Sequence, residues 1–204
     1  MDKKYSVPSS IASKLEQIKQ YMGTHSVTAF VGAGFSMNAE KPNHVKMKTW
    51  KQLRETFLDK LYPNNEEDRL KDGNDVVRLA SLVDAQFGHN ELDNILEDAL
   101  PDKLVRPGEL HRMLVSLPWK DLLTTNYDTL IERAASQVIT NLKLVTNKET
   151  LLYQPSPRII KLHGSFPNIR PYIMTQEDYR RYPIERPEIC LLYTSDAADD
   201  RISV

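Results

Sequence analysis

Apolar residues recur at two different periods along the chain, and the switches between them predict its elements. Ile11, Leu15, Ile18 and Met22 recur at helical spacing after Pro8-Ser9-Ser10, which supplies a cap and a start signal, so a helix is predicted from about Ser10 to Met22. Thr28 to Val31 is β-branched, aromatic or small, as a short buried strand would be, and it ends abruptly in Gly32, Ala33, Gly34 and the hydroxyl of Ser36. Trp50, Leu53, Phe57, Leu58 and Leu61 form the next helical stripe, starting near Thr49 and stopped by Pro63. Asp75 to Phe87 and Glu91 to Leu100 also carry helical periods, separated by Gly88. These helices interrupt the alternation of strand and helix, so they are expected to form an inserted subdomain or a lid over a ligand.

The alternation then resumes. Leu110 to Leu117 predicts a short helix ended by Pro118, and Lys120 to Thr124 a second strand running into the polar string TTNYD. A helix follows from Thr129 to about Val138, with Leu130, Ile131 and Ala134 on one side. Leu142 to Thr146 and Arg158 to Leu162 are strand-like, the latter ending in His163-Gly164, and Tyr172-Ile173-Met174 is a further strand candidate. Strands that each end in a polar cluster, with helices between them, predict an α/β fold whose mostly parallel sheet gathers those clusters at its carboxyl edge. The final stretch, LLYTSDAADDRISV, has neither period and resembles translated sequencing-adapter read-through. It is set aside as a non-native tail at residues 191–204, which leaves one domain over residues 1–190, expected to be the incomplete front part of a longer protein.

Composition narrows the function classes. At 204 residues the chain holds one domain with a real core. Lys and Arg number 27 against 28 Asp and Glu, so there is no basic excess of the kind that drives nucleic-acid binding. The single cysteine, Cys190, rules out an internal disulfide and a multi-cysteine zinc site within this chain, and it suits a reducing cytoplasm. No apolar stretch approaches the ~20 residues of a membrane-spanning helix, and the N-terminus lacks a signal-peptide core, so a cytoplasmic protein is expected.

Three clusters could carry chemistry. The first is GAGFS, where a strand opens into a glycine turn whose backbone N–H groups can converge on a pyrophosphate. No Gly-Lys-Ser/Thr follows, and Met37 breaks G-x-G-x-x-G, so nucleoside-triphosphate hydrolysis and hydride transfer are both disfavoured; a tight packing turn explains the glycines equally well. The second is Thr124-Thr125-Asn126-Tyr127-Asp128, whose polar groups exceed what capping one helix requires. The third is Lys161-Leu162-His163-Gly164-Ser165, where an imidazole at a strand end is placed to act as a base near neutral pH, although a lone histidine there more often serves packing. His44, His89 and His111 carry only a structural reading, and Tyr179-Arg180-Arg181-Tyr182 reads as a solvated helix face.

Taken in this order, GAGFS, TTNYD and KLHGS resemble the sirtuin family, and more closely the sirtuin-like domains at the front of bacterial anti-phage defence proteins, which consume NAD. The string from Tyr172 to Tyr179 resembles the T-x-x-D-Y stretch of those domains, and the likeness runs from about Val27 to Tyr182. It implies a Rossmann-like sheet with helices on both faces and an inserted helical subdomain, truncated at the C-terminus. By the same resemblance, Gly32, Ala33, Gly34 and Ser36 match the loop that holds the NAD pyrophosphate, Asn126 and Asp128 match the pair lining the nicotinamide and ribose pocket, and His163 matches the catalytic base, with Phe35 and Thr125 counted among the NAD-binding residues. The physical reading agrees: Asn126 is placed to orient the attacking water, and Gly164 to leave space for the ribose.

The function so implied is hydrolysis of NAD to nicotinamide and ADP-ribose, with NAD as substrate and no metal. A downstream sensor region or a phage-derived activator, and homo-oligomerisation of the full-length protein, complete the expectation. The alternative is a non-catalytic module sensing NAD or an ADP-ribose derivative. Deacylation of lysine is less favoured, because deacylating sirtuins carry a four-cysteine zinc module after His-Gly and this chain offers Cys190 alone.

Overall fold

The computed structural model describes residues 8–65, 67–69, 75–138 and 140–189. Its centre is a four-stranded, wholly parallel sheet of β1 (Ala29–Val31), β2 (Asp121–Thr124), β3 (Lys143–Val145) and β4 (Arg158–Lys161), in the order β1-β2-β4-β3. The helices are α1 (Ser9–Gly23), α2 (Trp50–Leu61), α3 (Val76–Phe87), α4 (His89–Ala99), α5 (Glu109–Ser116), α6 (Leu130–Gln137), α7 (Lys148–Tyr153) and α8 (Gln176–Glu185). The fold is α/β with a parallel sheet and an inserted helical block, as the pattern predicts, and Rossmann-like, as the resemblance implies.

Side-chain alternation divides the sheet into two apolar faces. Leu122 and Ile159 are register partners and pack with Val31, Val115, Ile131 and Ala134, beneath α5 and α6. Their neighbours Leu123 and Ile160, also partners, point the other way and pack with Val145, Leu151, Leu162 and Ile189. Both faces of the sheet are therefore packed, and the carboxyl ends are the usual place for a ligand in such a sheet.

The inserted helices have legible local causes. Thr49 caps α2 in a reciprocal box, its Oγ accepting from the Gln52 N–H while Gln52 Oε1 accepts from the Thr49 N–H. Asp75 caps α3 through the N–H groups of Val77 and Arg78, and Gly88, at φ 86°, turns the chain into α4. Phe57, Leu58, Leu79, Ala80, Val83, Leu92 and Leu96 form one core cluster that also takes in Tyr127, Phe166, Tyr172 and Met174 from the loops after β2 and β4. The insert thus packs directly onto the strand ends.

Three local expectations are corrected. The GAGFS segment is a 3₁₀ helix over Ala33–Asn38 rather than an open loop. Tyr172 to Met174 is no strand: the Tyr127 hydroxyl takes the Ile173 carbonyl, and the side chains of Tyr172 and Met174 enter the helical core, so no ladder forms. Residues 148–153 and 176–185, predicted as no element beyond the helix face at Tyr179–Tyr182, form α7 and α8, each started by a capping box, at Asn147 and Thr175. The proposed tail, residues 191–204, and Cys190 lie outside the described residues.

Candidate active site

The carboxyl ends of β1, β2 and β4 open into a cavity of about 400 Å³. The strand ends contribute Ala33, Gly34, Ser36, Thr125, Asn126, Tyr127, Asp128 and His163, while the insert contributes Lys48, Thr49, Trp50, Leu53, Leu96, Ala99 and Leu100, and α8 contributes Tyr179. Seven of the ten expected site residues therefore line one cavity. Gly32, Phe35 and Gly164 are not among its lining residues. Phe35 turns instead onto the buried His111, their rings meeting edge to face at 4.9 Å. Gly164 sits at φ 89°, and an added Cβ would come within 2.6 Å of the carbonyl oxygens of Ile169 and Pro171, so backbone packing alone demands glycine there.

The polar groups after β2 are organised over long sequence distances. Ser36 Oγ donates to Asp128 Oδ2 at 2.5 Å, and Asn126 Nδ2 donates to Ser36 Oγ at 2.9 Å. Asp128 Oδ1 accepts from the Leu130 N–H at 3.1 Å and so caps the start of α6, the capping role its position suggests. All three side chains are buried. One atom has no partner among the described residues: Asn126 Oδ1, on a side chain only 4% exposed. A buried acceptor left open on a cavity wall is a place for a hydrogen-bonding ligand.

Beneath this cluster lies a buried cation that sequence reasoning passed over. Lys161, the last residue of β4, is 1% exposed; its ammonium donates to the Asp128 carbonyl at 2.6 Å and pairs with Glu132 at 3.0 Å. Burial raises the Glu132 pKa against the opposing pull of Lys161. A lysine inside an apolar strand was the available signal, because such a residue must find a partner to be buried.

His163 stands in an aromatic surround, with ring centroids of Tyr179 at 5.5 Å, Tyr182 at 6.1 Å and Tyr127 at 6.5 Å. Burial, reinforced by the nearby Arg186 guanidinium, pushes its pKa down to about 4. The imidazole is consequently neutral near pH 7, with a ring-nitrogen lone pair available to accept a hydrogen bond. The tyrosines of α8 explain themselves by this packing: Tyr179 and Tyr182 turn inward, while Arg180 and Arg181 pair with Glu177 and Glu185 on the outer face. Among the described residues, no group of three or more His, Cys, Asp or Glu is arranged to hold a metal ion, and no helix is long and apolar enough to cross a membrane.

Comparison with known proteins adds a second line of observation. The family described as "SIR2-like domain" matches residues 120–198, the segment that supplies Asn126, Asp128, Lys161 and His163. A protein named NAD(+) hydrolase ThsA from Enterococcus faecium is 29% identical over 159 residues, covering 75% of this chain and 30% of that protein. Its namesake from Bacillus cereus (strain MSX-D12) is 27% identical over 161 residues, 76% of this chain and 31% of its own. Defense-associated sirtuin 2 of Bacillus subtilis is 23% identical over 188 residues, 88% of this chain and 18% of its own. The chain thus spans about a third or less of the length of these relatives. With its parallel sheet, helical insert and strand-end cavity, the chain carries a SIR2-like match over residues 120–198 and is related to proteins named NAD(+) hydrolase ThsA.

Proposed function

We propose that this chain is the catalytic domain of an NAD glycohydrolase that acts in anti-phage defence, without zinc. The observation that carries the reading is the unpartnered Asn126 Oδ1, buried on the wall of the cavity that also holds the neutral imidazole of His163. The names of the related hydrolases and of the defence-associated sirtuin support it.

The chemistry follows from what the leaving group needs. Nicotinamide departs from C1′ with the bonding electron pair, which neutralises its ring nitrogen and leaves an oxocarbenium-like ribose. A water held by Asn126 Oδ1 attacks C1′, the C–O bond forms, and the released proton passes to His163, giving nicotinamide and ADP-ribose. The turn at Ala33, Gly34 and Ser36 faces the pyrophosphate, and the Asp128 carboxylate stands behind it, bonded to Ser36. An added Cβ at Gly34 would meet no atom within 4 Å, so this stretch of wall has room for a ligand. A sensor without turnover would need no base beside a water-orienting amide, so the pair favours catalysis over mere binding.

The test is to incubate the full-length, activated protein with NAD and measure nicotinamide release. His163→Ala is expected to slow release by roughly 100- to 10,000-fold, and Asn126→Ala by a comparable factor, with the thermal unfolding transition retained. Unchanged turnover in either variant removes the mechanism.

A further inference from the structure

The hydrogen bonds behind Asn126 run in one direction only. As a carboxylate, Asp128 can accept but not donate. Ser36 has a single hydroxyl proton, and it is spent on Asp128 Oδ2 at 2.5 Å. Toward Asn126 the hydroxyl can therefore only accept, and the sole donor on that side chain is the amide nitrogen, at 2.9 Å. The carboxamide is planar, so committing its nitrogen to Ser36 turns its oxygen the other way, and that oxygen is the buried atom without a partner.

We propose that Asp128 and Ser36 are positioning residues, a relay that sets which end of the Asn126 carboxamide faces the cavity. Asn126 has the same shape in either amide orientation, and only one orientation offers an acceptor to a water or a ribose hydroxyl. Shape cannot choose between them; the negative charge of Asp128 does, passed on through one serine. Lys161 completes the arrangement from below by holding the Asp128 carbonyl at 2.6 Å, which fixes the turn that carries the carboxylate. The kinetic consequence rests on the glycohydrolase reading, whereas the relay itself does not.

The decisive variants reverse the direction. In Asp128→Asn the new carboxamide can donate to Ser36, whose proton then goes to Asn126 Oδ1, and the amide flips to show a donor to the cavity. In the double variant Asn126→Asp with Asp128→Asn the reversed chain ends on a carboxylate, and its second oxygen again faces the cavity as an acceptor. Nicotinamide release by the full-length protein should show kcat reduced about 100-fold in Asp128→Asn with KM within about threefold, and at least tenfold of that loss regained in the double variant. Ser36→Ala, which removes orientation without reversing it, should lose about tenfold in kcat.

A double variant no better than Asp128→Asn overturns the relay, as does Ser36→Ala with wild-type kcat. If the wild-type protein releases no nicotinamide, the glycohydrolase reading fails, and the relay is decided by the side-chain amide protons of Asn126 in ¹⁵N-asparagine-labelled protein, assigned by their loss in Asn126→Asp. Slow solvent exchange in wild type and fast exchange in Ser36→Ala and Asp128→Asn upholds it; equal rates in all three overturn it.

Discussion

The strands β2 and β4 carry a buried ion pair at each end, and the two ends are built to opposite specifications. At the amino end Asp121 and its register partner Arg158 satisfy each other: Asp121 accepts from Arg158 Nε and Nη2, from the Arg158 N–H and from Ser156 Oγ. At the carboxyl end Lys161 and Glu132 also pair, yet Glu132 Oε2 and Asn126 Oδ1 stay without partners among the described residues. Saturation marks a joint that serves only to hold register. The open acceptor of Asn126, which costs stability because it is buried, lies on the cavity wall at the other end.

The largest effect should come from breaking the saturated end. Asp121→Ala takes the counter-charge from the Arg158 guanidinium, which keeps only longer bonds to the Leu151 and Gln154 carbonyls among those described, in a site where the two side chains are 6% and 13% exposed, and a destabilisation of roughly 3–5 kcal/mol is expected. Urea unfolding measures it, and turnover per folded molecule should remain near wild type, because nothing in this pair touches the cavity. A parallel loss of specific activity would show that the two ends are not independent.

Lys161→Met cuts the opposite joint and should cost less stability, about 1–3 kcal/mol, chiefly through the orphaned Asp128 carbonyl. Glu132 softens the loss, since burial already favours its neutral form and a proton can replace the lysine. Turnover should nevertheless fall at least tenfold, the reverse of the pattern at Asp121, because the turn holding Asp128 loses its anchor. Adding Glu132→Gln should return stability but not activity.

How much of this could be read in the chain depends on the range of the interaction. The strands, the three polar strand ends and the insert were legible, because apolar period and turn residues are local signals; Thr49, Asp75 and Gly88 punctuate the insert where they are expected to. Asn126 and His163 stood out as polar residues at strand ends and do line one cavity. What could not be read was pairing across the crossovers. Ser36 meets an acid 92 positions away, and Lys161 an acid 29 positions earlier, beside Asp128. The same holds for Lys48 and Trp50, which reach the cavity only because α2 packs onto the strand ends. The helical stripe of α1 shows the converse: its period was plain, yet Ile11, Leu15 and Ile18 stay exposed, so periodicity identified the helix but not its burial.

A smaller and pH-dependent difference separates His163 from the saturated pair. Its folded pKa of about 4 lies below its ordinary value of 6.5, so between these values the unfolded chain binds a proton that the folded chain refuses. Its contribution to stability is complete above pH 6.5 and is lost progressively as pH falls toward 4. His163→Gln should therefore flatten the stability profile across that window relative to wild type, measured by urea unfolding at pH 7, 5.5 and 4.5. Identical slopes would mean that the imidazole is better solvated than its aromatic surround implies.

The smallest effect tests whether the inner and outer faces of α8 divide function in the same way as the two ends of the sheet. Arg180 is bonded to Glu177 one turn away, with both side chains more than half exposed, an ion pair that water screens and side-chain entropy opposes. Arg180→Ala should change stability by less than about 0.5 kcal/mol and leave nicotinamide release untouched. One residue earlier, Tyr179 lines the cavity with its ring edge-on to His163, so Tyr179→Ala should open the imidazole to water, raise its pKa toward the ordinary value and lower turnover. If Arg180→Ala reduced turnover as much as Tyr179→Ala, the outer face of α8 would belong to the site.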